Sequence, residues 1–159
     1  MKIWYTCKAK FNKEDDEGIL KQVTEAYLLD AMSYTEAESR IYEVLEKEIS
    51  GEFHVNTITK TNITEVIPNE QAEIWFKCKA VYTTVDGDSA KEVKINMYFL
   101  VSANDVKEAF EMVTQSLSGM LVPFEIPSIA KTSIVEVYPF IEEGDEDIPD
   151  NLTPLSELE

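Results

Sequence analysis

The chain has none of the short motifs that mark an enzyme, and it is poor in the residues that catalytic sites use most. It holds a single histidine, His54, and a single arginine, Arg40. No glycine-rich phosphate loop or nucleophile elbow occurs, and no nucleophile stands beside a base. The acidic turns at 14–17 and 86–88 lack the spacing of a calcium loop. We therefore expect a protein without a catalytic site, a metal ion or a cofactor.

Cysteine is equally scarce. Cys7 and Cys78 could form one disulfide at most and lack the CxxC spacing of a metal site. They occupy matching points of two similar segments, "IWYTCKAKF" at 3–11 and "IWFKCKAVY" at 74–82. We expect two small, reduced thiols in the core, since cysteine is among the residues most often buried.

Long apolar runs are also absent. No segment approaches the roughly 20 apolar residues that span a bilayer. The first residues lack the apolar stretch and cleavage site of a signal peptide. We expect a cytoplasmic protein that does not enter a membrane.

Positive charge is in short supply. Against 14 basic residues stand 31 acidic ones, which gives a net charge of −17. Eight of the acids lie in 141–159, where there is no lysine or arginine, so residues 1–140 carry −9. Such a balance disfavours a nucleic-acid partner unless the basic residues gather on one surface.

The sequence does contain an internal repeat. Shifted by 71 residues, the chain matches itself in three separate blocks, which is the mark of a duplicated unit. In the first block Ile3, Trp4, Cys7, Lys8 and Ala9 fall on Ile74, Trp75, Cys78, Lys79 and Ala80. In the second block Tyr27 and Leu29 fall on Tyr98 and Leu100, and in the third 58–68 falls on 129–139.

The repeat predicts two copies of one unit, at 1–68 and 74–140, joined by the polar link 69–73. Each copy is typical of a strand, a strand, a helix and a strand, and the last strand of the first copy covers 53–67. The first helix begins at Ser33 or Thr35, the second at Asn104 or Asp105. The buried stripes of the two helices are expected at Ala37, Ile41, Leu45 and Ile49, and at Val106, Phe110, Val113 and Leu117.

A three-stranded sheet with one helix buries too little surface to be stable alone. We therefore expect one α+β domain built from a duplicated β-β-α-β unit about a pseudo-twofold axis. Its antiparallel strands would share one core, with both helices on one side. The pattern leaves open whether the strands form one sheet or two.

Alternation along the strands predicts what the uncovered face carries. In the first strand Ile3, Tyr5, Cys7, Ala9 and Phe11 point to the helix, so the even-numbered residues point away. Applied to both copies, this rule gives a face of aromatic rings among lysines: Trp4, Lys8, Lys10, Trp75, Lys77, Lys79, Lys94 and Tyr98.

Such a face has two interpretations. Single-stranded nucleic acid would suit it, because rings stack on bases at about 1–3 kcal/mol each and ammonium groups follow the phosphates. Alternatively, outward tryptophans are often covered by a second sheet, a loop or a partner subunit. Strand lysines can equally protect an edge or maintain solubility.

The acidic segment 141–159 is predicted to be disordered. It resembles the acidic C-terminal tails of single-stranded DNA-binding proteins, which recruit replication and repair enzymes and compete with DNA for the basic groove. The residues that carry this resemblance are Glu142, Glu143, Asp145, Glu146, Asp147, Ile148 and Pro149. Those tails end on a hydrophobic tip, whereas this chain runs on to Glu159. A plain solubilising tail is the alternative.

The segments "IWYTCKAKF", "VTEAYLLDAMSYTEAESRI" at 23–41 and "GEFHVNTITKTNITEVI" at 51–67 resemble a known family. It comprises small acidic proteins of gut bacteria and their phages, classed as domain of unknown function 4494. The resemblance covers nearly all of the chain before the tail, and "YLLDAMSYTEAE" is its most specific element. It implies a cytoplasmic bacterial or phage protein and supplies no active site.

The leading hypothesis from the sequence is a non-catalytic single-stranded DNA-binding protein of phage or bacterial DNA metabolism. Its tail would recruit replication or repair proteins. The alternative is a protein–protein adaptor or self-assembling structural protein, whose exposed aromatics form the interface and which could be a homo-oligomer.

Overall fold

The computed structural model describes residues 2–140, which form two four-stranded sheets and two helices. The first unit supplies β1 (Ile3–Glu14), β2 (Leu20–Ala31), α1 (Tyr34–Glu48), β3 (Phe53–Lys60) and β4 (Glu65–Ile67). The second unit supplies β5 (Ile74–Val85), β6 (Glu92–Ala103), α2 (Val106–Ser116), β7 (Phe124–Lys131) and β8 (Ile134–Tyr138). The predicted α+β class and duplication are confirmed.

The two units exchange their last strands. Sheet 1 has the order β3-β1-β2-β8 and sheet 2 the order β4-β6-β5-β7. β8 pairs in parallel with β2 of the first unit, and β4 pairs in parallel with β6 of the second. All other pairings are antiparallel. The sheets are therefore mixed, and the expectation of purely antiparallel sheets is wrong.

The strand predicted at 53–67 is two strands in two different sheets. The chain turns at Thr61, whose backbone N–H and side-chain hydroxyl donate to the carbonyl of Trp4 at 2.9 and 2.8 Å. Thr132 donates to the carbonyl of Trp75 at the same two distances. Valine, isoleucine and threonine continue through both turns, so composition shows one strand where hydrogen bonding makes two. We call these paired turns the threonine corners.

The end of each exchanged strand is also fixed at equivalent points. Within residues 2–140, the buried polar side chains are Asp30 on β2 and Ser102 on β6. Asp30 accepts a hydrogen bond from the backbone N–H of Phe140 at 2.7 Å, and Ser102 accepts one from that of Asn69. Arg40 lies 3.2 Å from the Asp30 carboxylate, which balances the buried charge.

The repeat offset is not constant along the chain. Tyr5 faces Leu29 in the first hairpin, whereas the equivalent Phe76 faces Val101 in the second. The second hairpin turn, 86–91, is one residue longer than the first, 15–19, so the offset rises to 72. It returns to 71 before β7. The predicted matches of Tyr27 and Leu29 with Tyr98 and Leu100 are therefore wrong by one residue, and Leu28 corresponds to Leu100.

Each helix packs on its own sheet, over the face turned away from the other sheet. Ala37, Ile41 and Leu45 of α1 are buried there as predicted, with Ile49 partly buried. In the second unit the buried positions are Ala109, Val113 and Leu117, which follow the offset of 72. Val106 and Phe110 are 51% and 46% exposed, so their assignment to the buried stripe is wrong. The expectation of one shared core with both helices on one side is also wrong.

The third core lies between the inner faces of the sheets, those opposite the helices. Its buried members are Ala26, Leu28, Ile63, Trp75, Leu100 and Ile134, with Trp4, Val66 and Val137 packed partly buried against them. It combines residues of both hairpins with residues of both exchanged strands. The units therefore share this core, and Tyr138 and Ile67 of the exchanged strands also pack against the helix-side core of the other unit.

Cys7 and Cys78 are fully buried free thiols in the two helix-side cores, as predicted. Burial raises the pKa of Cys7 to about 12 and that of Cys78 to about 11. Both thiols therefore stay protonated at neutral pH and behave as small apolar side chains.

The threonine corners predict matched losses of stability. In Thr61→Val and Thr132→Val the hydroxyl bond to the tryptophan carbonyl is lost. The hydrogen bond that the hydroxyl accepts from the backbone N–H two residues later is lost as well. We expect each variant to lower the free energy of unfolding in urea by about 1–3 kcal/mol.

The exposed Thr83→Val on β5 is the isosteric control and should change the free energy of unfolding by less than about 0.5 kcal/mol. Equal midpoints for the corner variants and this control would show that the corners do not hold the exchange.

Candidate nucleic-acid interface

Trp75 does not lie on an open surface. Its side chain is only 8% exposed and packs between the sheets against Leu100 and Ile134. The expectation that this indole is available to a base is therefore wrong. The physical reason is the strand exchange, which lays Ile134 on the inner face of the sheets. The alternative interpretation, in which a second sheet covers an outward tryptophan, holds at this position.

Trp4 occupies the equivalent position in the first unit and is half-buried at the border of the same core. The two indoles therefore belong to one inter-sheet contact. They do not form two separate stacking platforms.

The lysines of sheet 1 remain accessible beyond that contact. Lys8 is exposed and is flanked across the strands by Thr57 and Ala26. Lys10 is half-buried and is flanked by His54 and Thr24. No acidic residue stands in either row. The β3 residues of these rows were not predicted, because only the strand register brings them beside the lysines.

The lysines of sheet 2 surround a half-buried ring. Lys79 lies across from Tyr98 on one side and Ser128 on the other. The Nζ atom of Lys77 lies 5.2 Å from the centroid of the Tyr98 ring and donates to Asn62 Oδ1 at 2.7 Å. This arrangement places a cation against an aromatic face. Asn62 comes from the first threonine corner and was missed.

Lys94 lies further along β6, where it is exposed and faces Thr83. Val81 and Asn96 form the row of paired residues between Lys94 and Lys79. On the other side of Val81, its neighbour on β7 is Glu125. This glutamate marks the limit of the acid-free part of sheet 2.

These lysines form no ion pair within residues 2–140, as is also true of Lys47, Lys60, Lys91, Lys107 and Lys131. Within residues 2–140, Lys2, Lys13 and Lys21 each form an ion pair with a carboxylate. Across the same range, no ion pair involves the inner-face lysines Lys8, Lys10, Lys77, Lys79 and Lys94. Many acids lie on the helices instead: Glu36, Glu38, Glu43, Glu46 and Glu48 on α1, and Glu108 and Glu111 on α2. The helices are thus rich in carboxylates, although they also carry Lys47 and Lys107, whereas the five inner-face lysines lie on the opposite sides of the sheets.

The structure brings the predicted residues together as two groups and not as one platform. Lys8 and Lys10 lie on sheet 1, and Lys77, Lys79, Lys94 and Tyr98 lie on sheet 2. The inter-sheet core with both indoles belongs to neither group. The predicted tail residues Glu142, Glu143, Asp145, Glu146, Asp147, Ile148 and Pro149 lie outside the described residues.

Fold and surface together define a duplicated α+β protein with exchanged strands and lysine-bearing inner sheet faces. Over residues 3–140 the chain matches the family described as Domain of unknown function (DUF4494), and it belongs to that family. The resemblance to this family drawn from the sequence is confirmed. No curated protein and no solved structure matches the chain. None of the helices within residues 2–140 has the length and apolar character needed to cross a bilayer.

The different burial of the indoles can be tested with single-tryptophan variants. Trp4→Phe leaves Trp75 as the emitter, and we expect its fluorescence at shorter wavelength and poorly quenched by acrylamide. Trp75→Phe leaves the half-buried Trp4, whose emission should be more strongly quenched. Similar quenching of the two variants, at the level of the urea-unfolded protein, would contradict the inter-sheet core.

Proposed function

We propose that the protein binds single-stranded nucleic acid, without catalysis, through the lysine-bearing inner faces of its two sheets. The observation that carries the proposal is the set of inner-face lysines without an ion pair within residues 2–140. No acidic residue lies across the strands from Lys8, Lys10 or Lys79. Lysines kept apart from acids leave a surface to which phosphate groups can bind.

Binding would depend more on charge than on stacking. Lys8 and Lys79 occupy equivalent positions in the two units, so each sheet presents one phosphate contact in the same setting. The hydroxyl groups of Thr57 and Ser128 lie beside them. Tyr98 is the half-exposed ring on which a base could stack, since Trp75 is buried. We therefore expect sequence-tolerant binding with strong salt dependence.

The acidic segment 141–159 completes the proposal. It would compete with nucleic acid for the lysines and recruit replication or repair proteins, in the cytoplasm of a bacterium or a phage-infected cell. The described chain supports this by holding its last residues in place. Phe140 is fixed by its hydrogen bond to Asp30, and its ring lies 5.1 Å from both Lys2 Nζ and Arg40 Cζ. Phe140, the last described residue, is therefore held at sheet 1.

The binding surface can be tested by titrating fluorescein-labelled oligo-dT with the protein and measuring anisotropy at several salt concentrations. Lys8→Gln and Lys79→Gln should each weaken binding and reduce the salt slope by about 0.7–1, one phosphate contact apiece. Lys47→Gln, which changes the same charge on the outer side of α1, is the matched control and should bind like the unchanged protein.

Absence of binding at low salt would overturn the proposal, as would equal effects of Lys8→Gln and Lys47→Gln. Absence of binding would instead favour the protein–protein adaptor. One observation favours that second function: Val106, Phe110 and Leu121 are exposed near one another along the chain, at 51%, 46% and 100%. Sedimentation of the same sample would then show a complex or a homo-oligomer.

The tail can be tested without shortening the chain. Replacing Glu142, Glu143, Asp145, Glu146 and Asp147 by their amides removes five negative charges and preserves the length. We expect tighter binding of oligo-dT at low salt and a smaller difference at high salt, since competition between the tail and DNA is electrostatic. Unchanged affinity at low salt would remove the tail from the mechanism.

A further inference from the structure

A groove of about 480 Å³ lies between the two sheets, apart from the inner-face lysines. Its walls are apolar side chains that the strand register places on the inner faces. Trp4 and Trp75 come from the two hairpins, and Val66 and Val137 come from the two exchanged strands. Both valines lie across from leucines of the inter-sheet core. The groove is therefore the edge of that core, where it opens to the surface.

The groove is uncharged as far as residues 2–140 form it. Glu65 and Glu136 belong to its lining, but they lie across from Phe99 and Tyr27, which are buried in the helix-side cores. Their carboxylates therefore point to the outer faces of the two sheets. Transfer of an ion into an apolar site without a counter-charge costs free energy. The groove therefore favours an apolar occupant.

The part of the chain that follows the described residues has two stretches of different chemistry. Residues 142–147 contain five acids among six residues, which water solvates well. Residues 148–155, "IPDNLTPL", contain one acid, Asp150, and five apolar side chains: Ile148, Pro149, Leu152, Pro154 and Leu155. We call 148–155 the apolar segment. Exposure of its aliphatic side chains to water is unfavourable, so the segment gains free energy by burying them.

The apolar segment is attached beside the groove. Pro139 is part of the groove lining, and the hydrogen bond from Phe140 to Asp30 holds the following residue at sheet 1. From Phe140 to Ile148 the chain can span at most about 26–29 Å, which is enough for it to turn and return to the groove. A segment on so short a tether has an effective concentration on the order of millimolar, so a modest apolar contact is enough to dock it.

We propose that the apolar segment 148–155 docks in the inter-sheet groove of its own chain. Ile148, Leu152 and Leu155 supply aliphatic side chains that match the indoles and valines. Pro149 and Pro154 favour the extended conformation in which proline-bearing segments bind aromatic-lined grooves. The acids of 142–147 stay in water as the connecting loop. This inference goes beyond nucleic-acid binding and does not depend on it, since the groove shares no residue with the inner-face lysines.

The test places a nitroxide on Ser156→Cys in the 15N-labelled full-length protein. Cys7 and Cys78 are fully buried, so the reagent reacts with the introduced thiol. The indole N–H resonance of Trp4, assigned with Trp4→Phe, should lose most of its intensity, because Trp4 lines the groove and is half-buried. Leu152→Asp puts a charge into the segment and should restore that intensity. Leu158→Asp is the same change outside the segment and should leave the broadening as it is.

An indole resonance without broadening would overturn the proposal and leave the groove to a ligand from outside the chain. Equal broadening in Leu152→Asp would also overturn it, because the segment would then pass near the groove without docking there. A mixture of spin-labelled protein and 15N-labelled protein without the spin label tests the remaining occupant. Broadening in this mixture as strong as in the single sample would show that a second copy supplies the segment, and would overturn docking within one chain. None of these measurements contains nucleic acid, so the two proposals fail separately.

Discussion

The structure depends on the hydrogen bonds that a threonine makes to a tryptophan carbonyl at each corner. At Thr61 and Thr132 the chain leaves the edge of one sheet and joins the other. In each case the acceptor belongs to the first strand of the unit that the chain is leaving. The corner thus fixes the end of one sheet and the start of the crossing together. Because both units cross, each sheet becomes complete only when the other unit supplies its fourth strand.

The strand exchange buries apolar surface that each unit would expose to water on its own. A hairpin with a helix on one face leaves the other face bare, and in the first unit that face carries Ala26 and Leu28. The second unit leaves Leu100 and Trp75 bare in the same way. Closing these faces on each other removes the apolar surface from water, the dominant favourable contribution to folding. The buried polar side chains Asp30 and Ser102 then hold the ends of the crossing strands, so burial and strand exchange stabilise each other.

Patterns of short range predicted much of this correctly. Alternation placed Tyr5 and Cys7 beneath the helix. Capping chemistry gave Ser33 and Thr35 as the two candidate caps of α1, and the structure has Ser33, whose side chain accepts from the backbone N–H of Glu36 at 3.1 Å. The errors come from interactions of long range. Thr61 finds its partner 57 residues away, and nothing near it in sequence shows that the strand ends there. One extra residue in the turn 86–91 displaced the repeat, so Leu29 was matched with Leu100, the structural equivalent of Leu28.

At the candidate site, too, short-range patterns predicted correctly and long-range contacts were missed. Strand parity correctly placed Trp75 on the inner face with Lys77 and Lys79, but parity cannot tell whether a second sheet covers that face. Coverage stops partway along the strands: the inner-face positions nearest the corners are buried, and those further along keep their lysines accessible. Within the contact, the polar side chains Asp30 and Ser102 are hydrogen-bonded, whereas the lysines lie beyond it, where water still solvates them. The inter-sheet core and the lysine surface are therefore two ends of one face, and the position of the corner determines where one gives way to the other.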